Sequence, residues 1–277
     1  MMAETDIDLT GTIDLHMHTA PDVGPRKLDD LEAARQAAAR GMRAILLKSH
    51  VTLTADRAVL VERVVPEVRV FGGLVLNESI GGLNPAAVEA ALRLGAVEIW
   101  MPTLSAAAEP RPRPEPGLTI LDDHGLKPSV LEILRLVAEK DVILGTGHLS
   151  PAEILELVPA ARAAGVRKIL ITHPEHPPVE MPVLLQEELR DRFGVYFERC
   201  LITTELGHGR LPFSALAAVI RRVGCATTVV ATDFGQPQNP FPADGLASYI
   251  AHLRAEGFAD AEIAVMSQVN PARLLEL

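Results

Sequence analysis

The chain repeats an apolar segment followed by an amphipathic segment eight times, and this repetition constrains the fold more than any other feature. Short apolar runs rich in β-branched residues are typical of buried strands, whereas apolar residues spaced three or four apart are typical of helices. The predicted strands are 12–17, 43–48, 68–76, 97–102, 142–147, 167–172, 194–199 and 227–232. The predicted helices include 28–40, 85–94, 129–140, 151–164 and 181–192. Pro151 just inside one helix and Gly165 just beyond its end match the usual start and stop signals.

Eight strands that are each followed by a helix predict an α/β protein with a (β/α)8 TIM barrel. Such barrels are typically about 250 residues long, and this chain has 277. An open doubly wound sheet is the alternative, but that fold usually has a glycine-rich turn after its first strand, and none follows Leu15. We therefore expect one barrel domain over residues 1–277.

Residues that bind metal ions or move protons lie at the carboxyl ends of most of the predicted strands. They are His16 and His18, Lys48 and His50, Asn77 and Glu78, His148, His173 and Asp233. A further histidine, His176, follows three residues after His173. In a barrel these strand ends meet on one face, where the active sites of such enzymes lie. The pattern therefore predicts a metal-binding active site rather than histidines used only for packing.

His16 and His18 are separated by one residue at the end of the first strand. Side chains at i and i+2 of a strand point to the same side, about 6.6 Å apart, and neutral imidazole is a common zinc ligand. The same spacing relates Lys48 and His50. A buried, unpaired ammonium is costly, so Lys48 must pair with a carboxylate such as Glu78 or Asp233, carry a modification, or bind an anionic substrate. We favour the substrate, with Lys48, His50 and Glu78 as its binding residues.

Composition excludes several classes of partner. The chain carries 36 acidic and 26 basic residues, a net charge of −10, and only 4% aromatic residues. It therefore lacks the basic and aromatic surface of a nucleic-acid-binding protein. The polar beginning MMAETDIDLTG and the absence of an apolar run near 20 residues predict neither a signal peptide nor a membrane span. Cys200 and Cys225 have no CxxC spacing and suggest free thiols in the cytoplasm. A homo-oligomer is left open.

The segment 104–127 interrupts the regular spacing of the strands. The fourth and fifth predicted strands begin about 45 residues apart, whereas the other steps are about 26 to 34. Pro110, Pro112, Pro114 and Pro116 alternate within it, which favours an extended polyproline II conformation and forbids a helix. The segment follows the fourth strand and would overhang the active face. A lid or subunit contact carrying His124 and Asp122, and a solvated loop, are both consistent with this pattern.

With these residues the chain resembles the amidohydrolase superfamily of metal-dependent hydrolases, over almost its whole length. The resemblance rests on His16 and His18, on the single histidines His148 and His173, and on Asp233. The ending Asn270-Pro-Ala-Arg-Leu-Leu is also similar to the last helix of that superfamily. The phrases GGLNP, TGHLS, THPEH and TDFGQ are closer to a poorly characterised branch. The resemblance implies that His16, His18 and Asp233 hold a divalent ion. His148 is then either a further ligand of that ion or, together with His173, a ligand of a second ion. Zn²⁺ is the expected metal, with Mn²⁺, Fe²⁺ and Ni²⁺ open.

The sequence departs from the superfamily at the fourth strand. Binuclear members commonly supply a bridging carboxylated lysine or glutamate there, but this strand reads Val97-Glu-Ile-Trp-Met-Pro-Thr, with Glu98 at its beginning. We therefore predict one ion, held by His16, His18, His148 and Asp233.

The predicted function is hydrolysis of an amide, lactone or ester in a small molecule by a metal-activated water, with Asp233 and His173 as catalytic residues. A decarboxylase of the same superfamily is the first alternative, because such enzymes also lack the bridging lysine. A phosphoesterase is the second: Asp14-Leu-His-Met-His and Glu78 are similar to that class, but Asp233 is followed by Phe234-Gly235 instead of an Asp-x-His. A non-enzymatic, metal-dependent binding protein is the third.

Overall fold

The computed structural model describes residues 7–110 and 116–277. Eight parallel strands form one sheet in the order β1-β2-β3-β4-β7-β8-β9-β10. Their bounds are β1 Ile13–His18, β2 Ala44–Lys48, β3 Arg69–Val75, β4 Glu98–Trp100, β7 Ile143–Gly145, β8 Ile169–Ile171, β9 Tyr196–Cys200 and β10 Thr228–Ala231, while the short strands β5 Leu121–Asp122 and β6 Gly125–Leu126 form a separate hairpin. All eight predicted strands are present, and the predicted TIM barrel is confirmed.

Helices follow the barrel strands and cover the outside of the sheet. They are α1 Asp30–Ala39, α2 Ala55–Val64, α3 Pro85–Arg93, α4 Pro128–Lys140, α5 Pro151–Ala163, α6 Val183–Phe193, α7 Phe213–Val223, α8 Pro242–Ala255, α9 Asp260–Ala264 and α10 Asn270–Leu275. The predicted start signal is confirmed at α5, where Ser150 and Glu153 form a capping box. Among the helices of the described residues, none is long and apolar enough to cross a bilayer.

The barrel closes where β1 meets the residues that follow β10. A parallel bridge joins Met17 to Phe234, and the His18 N–H donates to the Phe234 carbonyl oxygen at 2.7 Å. The buried carboxylate of Asp14 accepts hydrogen bonds from the Thr232 hydroxyl at 2.5 Å and the Thr232 N–H at 3.1 Å. The first strand is therefore fixed to the last at the level of the histidines.

Large and small residues alternate inside the barrel. Trp100 is fully buried at the centre. A Cβ added to Gly73 would lie 2.5 Å from its ring, and one added to Gly145 would lie 2.4 Å from it. Since real Cβ atoms do not approach so closely, glycines on the two neighbouring strands make room for the indole. The filled interior leaves the space for chemistry at the carboxyl ends of the strands.

Hydrogen bonds fold the described part of the segment 104–127 on itself and attach it to α5. Ala107 donates to the Leu118 carbonyl oxygen at 2.8 Å, and Glu153 accepts from the Ile120 N–H at 3.1 Å. The β5–β6 hairpin follows. Pro112 and Pro114, and with them the centre of the predicted polyproline stretch, lie outside the described residues.

Candidate metal centre

Six histidines gather at the carboxyl ends of the strands, and we call them the histidine cluster. Its members are His16, His18, His50, His148, His173 and His176. Neighbouring ring centroids are 4.5 Å apart for His18 and His50, 4.9 Å for His148 and His173, and 4.7 Å for His173 and His176. The ring of His16 lies 5.3 Å from that of His18. The strand-end histidines predicted from the sequence therefore share one site.

Asp233 brings its carboxylate to the first two histidines. Its Oδ1 lies 3.2 Å from Nε2 of His16 and 3.0 Å from Nε2 of His18. One donor atom from each of these three residues lies within 4.8 Å of the other two, and all three residues are buried. Two imidazoles and a carboxylate are ligands that suit Zn²⁺ and related ions.

The hydrogen bonds of the two histidines fix which nitrogen carries the lone pair. Nδ1 of His18 lies 3.1 Å from the Lys48 carbonyl oxygen, which can only accept, so Nδ1 donates. Nδ1 of His16 lies 2.9 Å from Oε2 of Glu198, the carboxylate arrangement that commonly orients a metal-binding histidine. A neutral ring then has its acceptor at Nε2, facing the Asp233 carboxylate. Acceptors facing each other at this distance repel unless a positive charge, such as a proton on the ring, a neighbouring ammonium or a bound ion, compensates them.

The electrostatics of the site also favour a cation. Burial lowers the pKa of His18 to about 4, despite the opposing effect of Asp233, so this ring is neutral at pH 7. Burial also lowers the pKa of His16, but the carboxylates of Asp233 and Glu198 outweigh it and raise that pKa to about 9. Burial alone would raise the pKa of Asp233, and His16 and His18 hold it well below its usual range. The raised pKa of His16 means that the carboxylates attract positive charge to this position, and a divalent ion held by His16, His18 and Asp233 would supply that charge in place of the proton.

Lys48 lies inside the barrel next to this donor set. Its side chain is buried, its Nζ is 3.0 Å from Nε2 of His16, and it lies 5.3 Å above the centroid of the Trp100 ring. The structure thus gives Lys48 an imidazole contact, whereas Glu78, its carboxylate partner in one sequence interpretation, is exposed. His50, two residues further, stacks on His18 and places its Nδ1 2.8 Å from the Thr103 hydroxyl.

The remaining histidines line the other side of the cluster. Nδ1 of His148 lies 2.6 Å from Oε2 of Glu109, and burial lowers the pKa of His148 to about 4. Nδ1 of His173 and Nδ1 of His176 are buried without a hydrogen-bond partner among the described residues. His173 also has a positive φ of 24°, an uncommon backbone conformation for a residue other than glycine. Both rings are therefore available for a ligand.

Several predicted residues lie outside the cluster. Asn77 is buried, and its side chain ties loops together: it donates to the His50 carbonyl oxygen at 2.9 Å and accepts from the Thr103 N–H at 2.9 Å. His124 and Asp122, named as residues of a lid or contact, are exposed on the hairpin.

The sequence interpretation missed the residues that surround the ligands. Glu198 precedes the end of β9, and the buried, free thiol of Cys200 places its Sγ 3.6 Å from Nδ1 of His16. Glu98, at the beginning of β4, is fully buried, and burial together with Glu198 raises its pKa well above the ordinary value. For Glu198 the sequence did offer a signal, namely the charged pair Glu198-Arg199 at the end of the seventh predicted strand, 194–199.

Residues 11–198 match the model of a family of unknown function, DUF6282. The chain belongs to this DUF6282 family. The matched range includes His16, His18, His148 and His173, while Asp233 lies beyond it. No curated protein matches the chain in sequence.

Solved structures show the same fold as this DUF6282 member. An amidohydrolase from Pseudomonas aeruginosa has a TM-score of 0.67 at 13% identity, covering 99% of this chain and 98% of that one. The probable dipeptidase PvdM from Pseudomonas aeruginosa has a TM-score of 0.67 at 12% identity, covering 98% and 95%. A 2,6-dihydroxybenzoate decarboxylase complexed with 2,6-dihydroxybenzoate has a TM-score of 0.64 at 14% identity, covering 97% and 100%. At these identities the likeness concerns the fold alone, and it agrees with the TIM barrel predicted from the sequence.

Proposed function

We propose that this DUF6282 member is a metal-dependent hydrolase that cleaves an amide, lactone or ester bond in a small molecule. The observation that carries the proposal is the meeting of His16 and His18 with Asp233. The Nε2 atoms of both rings lie 3.0–3.2 Å from one oxygen of the Asp233 carboxylate, and a neutral ring whose Nδ1 donates has its lone pair on Nε2. That arrangement is stabilised by a cation, and His148 is the fourth proposed ligand.

A divalent ion held by His16, His18, His148 and Asp233 would activate a water molecule for attack at neutral pH, because such ions lower the pKa of water from about 15.7 to about 7. The chain's own residues do the rest of the chemistry. The Asp233 carboxylate, kept ionised by the two histidines, accepts the proton of the attacking water and returns it to the leaving group. His173, buried and with Nδ1 unpartnered among the described residues, donates to the carbonyl oxygen of the substrate as negative charge develops there.

Lys48 and His50 are the proposed substrate-binding residues. The Lys48 ammonium contacts the ligand set, at 3.0 Å from Nε2 of His16. It would pair with a carboxylate of the substrate by a charge-assisted hydrogen bond. We therefore infer that the substrate is a small anionic molecule, with Glu78 contributing from the exposed rim.

Decarboxylation is a second candidate, favoured by one observation. The strand β4 ends at Trp100 and is followed by Met101, Pro102 and Thr103, none of which is a usual bridging ligand. The decarboxylases of the superfamily that the sequence resembles also lack this ligand, so its absence from β4 favours the second candidate.

The test is a substrate panel assayed with protein stripped by a chelator and reloaded with Zn²⁺, Mn²⁺, Fe²⁺ or Ni²⁺. We expect metal-dependent hydrolysis within the panel of amides, lactones and esters of small carboxylic acids. Release of CO₂ from aromatic carboxylates would replace the proposal by a decarboxylase, and cleavage of phosphoesters by a phosphoesterase. An ion that binds tightly without turnover of any class would indicate a binding protein.

A further inference from the structure

The three histidines proposed as ligands share a feature: Nδ1 of each lies close to an oxygen acceptor. The barrel supplies two of these acceptors, Glu198 for His16 at 2.9 Å and the Lys48 carbonyl oxygen for His18 at 3.1 Å. The third, Glu109, lies 2.6 Å from Nδ1 of His148 and comes from the inserted segment 104–127. With Nδ1 donating to a carboxylate, the lone pair of a neutral imidazole is on Nε2, which is the nitrogen left for a metal.

The contact between Glu109 and His148 is largely removed from solvent. The side chain of His148 is 6% exposed and that of Glu109 is 15% exposed. A hydrogen bond to a carboxylate is shorter and stronger than one between neutral groups, and removal from solvent strengthens it further. The contact therefore differs from the exposed ion pairs elsewhere on this molecule.

The backbone holds both partners in place. The His148 N–H donates to the Pro102 carbonyl oxygen at 2.9 Å, and the Glu109 N–H donates to the Ala106 carbonyl oxygen at 3.2 Å. Gly147 allows its loop to lie close to the backbone after β4, because a Cβ at this position would lie 2.4 Å from the Met101 carbonyl oxygen. The residues directly before the inserted segment are thus attached to the loop that carries His148, and a turn within the segment positions Glu109.

We propose that Glu109 is a positioning residue of the metal centre, which fixes the tautomer and the ring orientation of His148. The inference rests on the proposed function, since it assumes that His148 is a ligand. It gives the inserted segment a role that the sequence did not assign: its first residues complete the support of the ligand set.

The experiment measures Zn²⁺ affinity by competition with a chromophoric chelator, together with thermal unfolding of each variant. Glu109→Ala should weaken Zn²⁺ binding by about 10–100-fold, the usual effect of losing such a partner. Glu109→Gln keeps a carbonyl oxygen that accepts from Nδ1 and should lose less. Asp123→Asn removes one charge from an exposed turn of the same segment and should bind as the wild type does. Equal losses in all three variants would indicate a general charge effect and overturn the proposal.

A double-mutant cycle tests whether Glu109 acts through His148. In a His148→Ala background, Glu109→Ala should cause no further loss of affinity. A further loss as large as in the wild type, or unchanged binding by Glu109→Ala, would overturn this inference alone. A wild-type protein that binds no Zn²⁺ would overturn the proposed function and this inference together. Should Glu109→Ala fail to fold, the comparison of Glu109→Gln with Asp123→Asn decides the question.

Discussion

The Asp233 N–H donates to the His16 carbonyl oxygen at 2.8 Å, so two proposed ligands are joined through their backbones as well as through their side chains. The same hydrogen bond closes the barrel between its first and last strands. Asp233 has a φ of 56°, which turns the chain immediately after β10 and directs the carboxylate to the histidines. The contact that closes the barrel therefore also positions two of the proposed metal ligands.

Gly235 makes that closure feasible. It has a φ of 135°, and a Cβ at this position would lie 1.7 Å from the His18 carbonyl oxygen. We expect Gly235→Ala to destabilise the protein by about 3 kcal/mol or more and to weaken metal binding, because strain and a backbone clash add. Gly95→Ala is the control: Gly95 also has a positive φ, but nothing lies within 4 Å of its Cβ position, so about 1–2 kcal/mol should be lost. Urea unfolding of both variants measures the difference, and equal losses would argue against the clash.

The number of bound ions is the second prediction. The fourth strand supplies no bridging ligand at its end, so we expect one tightly held ion per chain, through His16, His18, His148 and Asp233. Metal analysis of the purified protein, with Zn²⁺ titration, measures it. Reproducible occupancy by two ions, with the Lys48 amine modified to a bridging carboxylate, would contradict this prediction.

Removal of a metal ligand should abolish metal binding without unfolding the barrel. Asp233→Ala or His16→Ala should lose the ion and the activity together while the barrel remains folded, because the hydrogen bond that closes the barrel joins backbone atoms that both substitutions keep. Metal content, turnover and circular dichroism of the variants measure the three properties. Full metal occupancy with unchanged turnover in either variant would show that the residue is not a ligand.

Lys48→Met distinguishes the roles proposed for Lys48. A substrate-binding role predicts an unchanged metal content and a KM raised by about 10–150-fold, which corresponds to the loss of one charge-assisted hydrogen bond worth about 1.5–3 kcal/mol. A bridging role predicts the loss of an ion, and a structural role predicts lower stability with unchanged kinetics. Lys140→Met, at the exposed end of α4, controls for the loss of one positive charge. Wild-type KM and kcat in Lys48→Met would end the substrate interpretation.

The buried ion pair of Arg199 and Glu175 should stabilise the segment between His173 and His176. Arg199 is fully buried on β9, and Glu175 lies between the two histidines. Glu175→Gln should cost about 3–5 kcal/mol, because it leaves a charge buried without its partner, and Glu175→Leu with Arg199→Met should recover part of that loss. Glu89→Gln breaks an exposed helical pair with Arg93 and should cost at most about 0.5 kcal/mol. Urea unfolding compares them, and an equally small loss at Glu175 would show that the pair is not needed.

The sequence by itself determined the barrel and the position of its chemistry. Strand and helix periods are local properties, so the eight strands could be read within a few residues of their observed bounds. Because parallel strands in a barrel end on one face, the histidine cluster and Asp233 could be assigned to one site before any contact was known.

Only the tertiary structure decided how these residues are arranged. Strict alternation along β1 places Leu15 and Met17 on one face, but the register shifts between Asp14 and Met17. Leu15 then packs inside the barrel and Met17 outside it, a local change of the kind that bulges cause near active sites. The partners of the ligands come from distant positions: Glu198 is 182 residues from His16, and Glu109 is 39 residues from His148. Periodicity carries no information about such pairs, because they are set by the packing of one strand end or loop against another.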